Sequence, residues 1–319
     1  MTSKRRSPRL TQLIAALFAV LSIANTAMSD TATSNVVGPA AISAHEYKLV
    51  LKPNKFKGVK PDVGNNTIHD WKMLSKRWDA IRESAKDLGP ISTKAKARHV
   101  EFFDSNRLLQ KNNIILRQRT ALSGNKAGTI DVTLKSREGS LATVITNGSK
   151  LEAGFDPAKV ALSAETIPAN IGKKKHLAMA VRYSQDADVK VSSALNSGGT
   201  ASEAIERVPQ LSGLHGFFGL KDTDRLVRVG GKNGMPGEPI LELEYKASLP
   251  KKLEADVALW FRCGKLLTAE ISYKAASTSK QDVNDADALF LKLEHDLAKK
   301  LGKVQSKTES VYKPGCIGN

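Results

Sequence analysis

The sequence predicts an α+β protein whose framework is antiparallel β-structure. Three observations predict it. Several segments alternate strictly between charged and apolar residues, segments of helical periodicity stand between and after them, and glycine and proline mark the joints. In Glu46-Tyr-Lys-Leu-Val-Leu-Lys52, the charged Glu46, Lys48 and Lys52 oppose Tyr47, Leu49 and Leu51. A helix follows over Ile68 to Leu88, with Ile68, Trp71, Leu74, Trp78, Ile81, Ala85 and Leu88 on one stripe and Gly89-Pro90 as its stop.

The stretch from Glu101 to Arg119 ends in a strand that puts Ile115, Arg117 and Arg119 on one face. Two adjacent guanidiniums suit an anion. The same two-residue period sets Asp131, Thr133, Lys135 and Arg137 against Val132 and Leu134. It recurs with Glu242, Glu244 and Lys246 against Leu241, Leu243 and Tyr245, and with Glu270, Ser272 and Lys274 against Ile271 and Tyr273. A short helix is predicted over Ser202 to Val208. A longer one near Asp282 to Leu301 carries Val283, Ala286, Leu289, Leu293 and Leu297 on its apolar stripe. Alternation of this kind marks an antiparallel sheet with one dry face. Periodicity alone fits an open sheet and a closed barrel equally.

The residues of 101–119 resemble the Phe/Tyr-x-Asp-Thr…Leu-Arg-x-Arg segment of the CYTH domain, the fold of the triphosphate tunnel enzymes. Phe103, Asp104, Ser105, Leu108, Leu116, Arg117 and Arg119 fill its positions, with Ser105 for the usual Thr. Glu46-Tyr-Lys48 lies upstream, where the family has Glu-x-Glu-x-Lys, and Thr133-Leu-Lys135 lies where it has its next lysine strand. Asp256 to Glu270 resembles its late hairpin. The likeness spans about 42–312 and is thinnest over 138–220. It implies a closed antiparallel barrel, a tunnel with a charged lumen and amphipathic helices packed outside. It also implies Lys48, Arg117, Arg119, Lys135, Arg228 and Lys246 as phosphate-binding residues.

The resemblance further implies a divalent metal, Mg2+ or Mn2+, held by carboxylates. Such ions take about six oxygen ligands. Two of the family's acidic positions are Ala44 and Ser272 in this chain. The metal candidates are therefore Glu46, Glu270 and, from the Glu-x-Glu-x-Lys spelling at 242–246, Glu242 and Glu244.

The N-terminus carries a basic leader of Lys4, Arg5, Arg6 and Arg9, then an apolar run from Leu13 to Ile23 and small residues at Ala27 and Ser29. The run is short of the ~20 residues of a membrane span, so residues 1–29 are expected to be a cleaved signal peptide. Residues 30–41 then form a flexible lead-in and 42–319 the tunnel domain, in an exported, periplasmic or secreted protein with no stable membrane span. The formal net charge of +17 stays strongly positive without the leader, which suits a phosphate-rich small-molecule or polymeric anion. Nucleic acid is disfavoured, because the 5% aromatic residues fall mostly in apolar patterns. Cys263 and Cys316 are compatible with a disulfide in an exported chain, and their separation is not given by sequence. The six histidines have no ligand-like spacing and read as structural.

The first functional reading is metal-dependent hydrolysis of inorganic triphosphate, short polyphosphate or another triphosphate inside a basic tunnel. The alternative is an exported polyanion-binding protein that has lost part of the metal site. Nucleotide cyclisation ranks below both, since ATP is scarce outside the cytoplasm. A membrane barrel would leave the helices without a partner.

Overall fold

A computed structural model describes residues 42–315 apart from 152–153, 170–178, 216–218, 233–234, 277–278 and 303–307. The expected signal peptide, the whole lead-in and Cys316 lie outside the described residues.

Ten strands carry the architecture: β1 (Ala44–Leu51), β2 (Lys96–Asp104), β3 (Ile114–Ala121), β4 (Ile130–Glu138), β5 (Val160–Pro168), β6 (Met179–Val191), β7 (Arg225–Arg228), β8 (Ile240–Ser248), β9 (Glu254–Arg262) and β10 (Lys265–Ala276). Nine of them close into a barrel in the order β8-β9-β10-β1-β5-β6-β4-β3-β2, and β2 pairs back onto β8. All pairings are antiparallel except β1 with β5. The closed barrel is the fold class the sequence predicted. Strand β7 lies outside the ring, adding Val227 and Arg228 to Asp104 and Phe103 of β2.

Four helices of seven or more residues are α1 (Trp71–Arg82), α2 (Leu141–Leu151), α3 (Ala201–Arg207) and α4 (Lys280–Leu297). Helix α1 starts three residues later than its stripe suggested, because the Asp70 carboxylate accepts from the Met73 N–H at 3.0 Å and caps it. Ile68 belongs instead to a two-residue strand. Such a cap is worth ~1 kcal/mol. The helix ends at Arg82, six residues short of the predicted Leu88, and the Trp78 indole donates to the Gly89 carbonyl at 3.0 Å, tying the following turn back to it. Helix α3 opens on a capping box between Thr200 and Glu203.

The outward apolar residues of the strands meet these helices. Tyr47, Leu49, Leu51, Leu243 and Tyr245 share a core with Trp78 of α1 and Phe290 of α4. Phe103, Leu116 and Leu134 share another with Ala204 of α3 and Leu211. Each large side chain so buried contributes about 1.5–3 kcal/mol of transfer free energy. The sheet's dry face is therefore its outer one, and closure gathers the polar residues of the alternating pattern on the inner face.

Inside the ring a third cluster joins Val100, Phe102, Ile115, Ile240 and Trp260, with Val311 from the helical turn Thr308–Val311. It fills one end of the barrel. The Arg262 guanidinium donates to the Val311 carbonyl at 3.1 Å and the Lys313 carbonyl at 3.3 Å, and the Tyr312 hydroxyl donates to Asp104 at 3.1 Å. Cys263, at the turn between β9 and β10 with φ of 50°, is disulfide-bonded.

Candidate functional site

Register fixes which side chains look inward. Glu46 stands opposite both Lys274 and Glu165, Lys48 opposite Ser272, and Lys135 between Ile115 and Asp186. On the far wall, Glu242 lies between Arg98 and Trp260, and Glu244 between Lys96 and Ala258. These residues share the face turned away from the helix-packed cores.

Glu165, fully buried on β5, is the focus of one group. Its Oε1 lies 2.8 Å from Lys48 Nζ and 3.0 Å from Lys135 Nζ. Its Oε2 lies 2.8 Å from Arg182 Nε and 3.4 Å from Arg137 Nε. Lys48 also reaches Glu46 at 2.6 Å, and Lys135 reaches Asp186 at 3.3 Å. Burial would raise the Glu165 carboxyl, and the four cations, Arg137 foremost, hold it well below the usual carboxylate range. At Glu46 burial is likewise overcome, chiefly by Lys48, to about 2. The two lysines move in opposite directions. Burial pushes Lys48 down, whereas Glu165 and Asp186 outweigh burial at Lys135 and raise it.

A second group centres on Glu242, also fully buried. Arg98 Nη1 lies 3.4 Å from Glu242 Oε2 and its Nη2 2.8 Å from Glu244 Oε1, while Arg119 Nε lies 3.7 Å from Glu242 Oε2. The Trp260 indole donates to Glu242 Oε1 at 2.8 Å. Between the groups, Arg117 donates to Thr133 Oγ1 at 2.8 Å and faces Asp188 at 4.0 Å, and Thr133 in turn donates to Asp188. Burial, then the neighbouring Arg119, lowers the Arg117 guanidinium to about 10. The Nε atoms of Arg117 and Arg119 are buried without a hydrogen-bond acceptor.

Of the residues predicted to bind phosphate, Lys48, Lys135, Arg117 and Arg119 come to the inner face. Lys246 stands toward one rim with Glu254 at 2.7 Å and Asp256 at 2.8 Å. Arg228 is not brought to them. It aligns with Phe103, whose side chain belongs to an outer core, and pairs with Glu101 there. The four metal candidates all occupy inward register positions, but they do not converge. Glu244 and Glu270 flank Ala258 on opposite sides of β9, about 10 Å apart at strand spacing, and Glu46 is drawn to Lys48. Among the described residues no three acidic, histidine or cysteine side chains gather at a point where they could hold one ion. This donor set does not fit a metal held by several protein carboxylates.

Sequence reasoning passed over Glu165, Arg182, Asp186, Asp188 and Arg98. For Arg182, Asp186 and Asp188 the signal was the run Arg182-Tyr-Ser-Gln-Asp-Ala-Asp-Val-Lys190, which alternates with the same period as the other strands. Asp104, conspicuous in the Phe-x-Asp pattern, serves the architecture. Its carboxylate accepts from the Leu109 and Gln110 N–H groups at 2.9 and 3.0 Å, after Asn106 and Arg107 turn through positive φ.

No protein-family model and no curated protein matches the sequence. Solved structures that resemble the chain include a candidate adenylyl cyclase from Hippeastrum described as having a dominant triphosphatase activity (14% identity, 84% of this chain and 94% of that one, TM-score 0.43). A candidate adenylate cyclase from Bacillus halodurans (12%, 85% and 98%, TM-score 0.39) and the PH1819 protein of Pyrococcus horikoshii (11%, 82% and 94%, TM-score 0.34) also resemble it. Among the described residues no helix is long and apolar enough to cross a membrane.

Proposed function

We propose that the barrel interior binds a phosphate-rich anion, inorganic triphosphate or a short polyphosphate, in a protein exported by its N-terminal leader. The observation that carries this reading is the Arg117–Arg119 pair. Two guanidiniums stand side by side on an inner wall, and each has a buried Nε without an acceptor. Desolvated donors of this kind gain most from an oxyanion that supplies the missing acceptors. Arg98, Lys48 and Lys135 extend the positive wall, and their carboxylate partners hold them in place until a stronger anion competes. Recognition is by charge and geometry, which tolerates phosphate chains of different length.

Hydrolysis of the bound anion is the second reading. Glu242 and Glu244 favour it, since they occupy successive inward positions of β8 beside Arg98 and Arg119.

Tripolyphosphate titrated into the purified protein, at low and at raised salt, tests the first reading. Saturable, salt-weakened binding is expected, and Arg117→Ala should lower affinity by about 10- to 100-fold, the equivalent of a charged hydrogen bond or two. Absence of saturable binding would sink it. Phosphate release measured with Mg2+, with Mn2+ and with chelator decides the second: metal-dependent release makes the protein a hydrolase, and binding without release leaves it a carrier.

A further inference from the structure

Apart from the residues just assigned, a cavity of about 390 Å³ opens beside the apolar plug, where the start of β3, the end of β4 and the Thr308–Tyr312 segment meet. Arg137 and Arg182 line it, together with Gln110, Asn113, Ile115 and Tyr312. Both guanidiniums lean on one carboxylate oxygen, Oε2 of Glu165, which two lysines also share from the other oxygen. One acid therefore serves four bases. Arg137 donates one further N–H to Thr308 Oγ1 at 3.3 Å, while Arg182 Nη2 is buried without a hydrogen-bond acceptor and Arg137 Nε meets Glu165 Oε2 at 3.4 Å as an ion pair without hydrogen-bond geometry.

Two acids also line the cavity, and neither supplies the missing acceptor. Glu138 stands on the outer face of β4, where it accepts from Asn147 of α2 at 3.1 Å. Glu309 is exposed on the C-terminal turn.

We infer that this cavity is a second anion site, which takes a small organic phosphate with its head between Arg137 and Arg182 and its body against Ile115 and Tyr312. Two guanidiniums match a phosphate head by paired hydrogen bonds. The volume lies in the range of small-molecule pockets and exceeds what a bare phosphate fills. Gln110 and Asn113, at the turn into β3, supply amides to orient the body. The assignment does not rest on the triphosphate reading: none of the cavity's lining residues belongs to the Arg117–Arg119 wall, although Lys48 and Lys135 of that wall lean on the same Glu165.

Calorimetric titration of the purified protein with inorganic phosphate and with phenyl phosphate tests it. Saturable binding of both is expected, with phenyl phosphate tighter by about 10-fold for the apolar area it buries. Arg182→Gln should weaken both by at least 10-fold. Because that change also touches Glu165, Gly139→Leu provides a steric test: Gly139 lines the cavity and a Cβ there meets nothing within 4 Å, so a leucine is tolerated at the cavity's edge and narrows the space. It should abolish phenyl phosphate binding and leave tripolyphosphate binding unchanged. Three outcomes overturn the inference: no saturable binding of either probe, equal affinity for the two, or phosphate binding that survives Gly139→Leu and disappears with Arg117→Ala.

Discussion

The two charged groups inside the barrel are built on different ratios. Around Glu165 one carboxylate faces two lysines and two arginines, with Glu46 and Asp186 as outer partners. Around Glu242 a carboxylate faces two arginines and an indole, with Glu244 sharing Arg98. The first is a keystone: removing Glu165 leaves Lys48 with Glu46 and Lys135 with Asp186, but takes from Arg137 and Arg182 the acid they share in a desolvated space. The second is a clamp, in which Arg98 keeps Glu244 when Glu242 is lost and Arg119 alone gives up its acid. Buried charge tolerates loss in proportion to the partners left behind.

Glu165→Gln should break the comparison open with the largest effect. Urea unfolding is expected to show a loss of about 3–5 kcal/mol, the scale for removing one member of a buried ionic network. A loss below about 1 kcal/mol would show that the lysines and arginines relax out to solvent. Glu242→Gln should cost less, about 1–3 kcal/mol, because Glu244 still neutralises Arg98. It should also shift Trp260 fluorescence, since the indole loses its charged acceptor, and an unaltered emission spectrum would contradict the clamp.

Acid sharpens the same contrast. Glu46 titrates from an ordinary 4.5 down to about 2 in the folded protein, so its depressed pKa contributes stability that is present above pH 4.5 and lost progressively as pH falls toward 2. Glu165, also held low, acts in the same sense. Thermal melts between pH 6 and 2 should show Tm falling most steeply below pH 4.5, and Glu46→Gln should flatten part of that fall. A Tm that varies equally in the two proteins would separate Glu46 from the acid response.

Much of this was legible because the outer faces of β1, β4, β8 and β10 are dry. Tyr47, Leu49, Val132, Leu134, Leu243 and Ile271 could only be buried, and their charged alternates had to share the opposite face. β6 was harder to see. Its outward positions include Gln185 and the exposed Val181, so the apolar half of its alternation fades while Arg182, Asp186 and Asp188 still keep the period. Arg228 illustrates a different limit. A four-residue strand carries too little pattern to announce its face, and pairing with Phe103 of β2 decides it. The carboxylates at 242, 244, 270 and 46 were placed on the right face, but convergence depends on barrel diameter and strand stagger, which no residue pattern encodes.

The single parallel pairing has a consequence of parity. In a closed ring of purely antiparallel neighbours, directions alternate and the number of strands must be even. Nine cannot satisfy that rule, so one joint must run parallel, and here it lies between β1 and β5. The Lys48–Glu165 contact crosses that joint between residues 117 positions apart in sequence. Loop-closure entropy makes such a pairing slow to form relative to the neighbouring hairpins. The chain thus places its densest cluster of opposite charges at a join between strands distant in sequence, though β1–β10 and β2–β8 close longer loops still, and there the charges act as a latch.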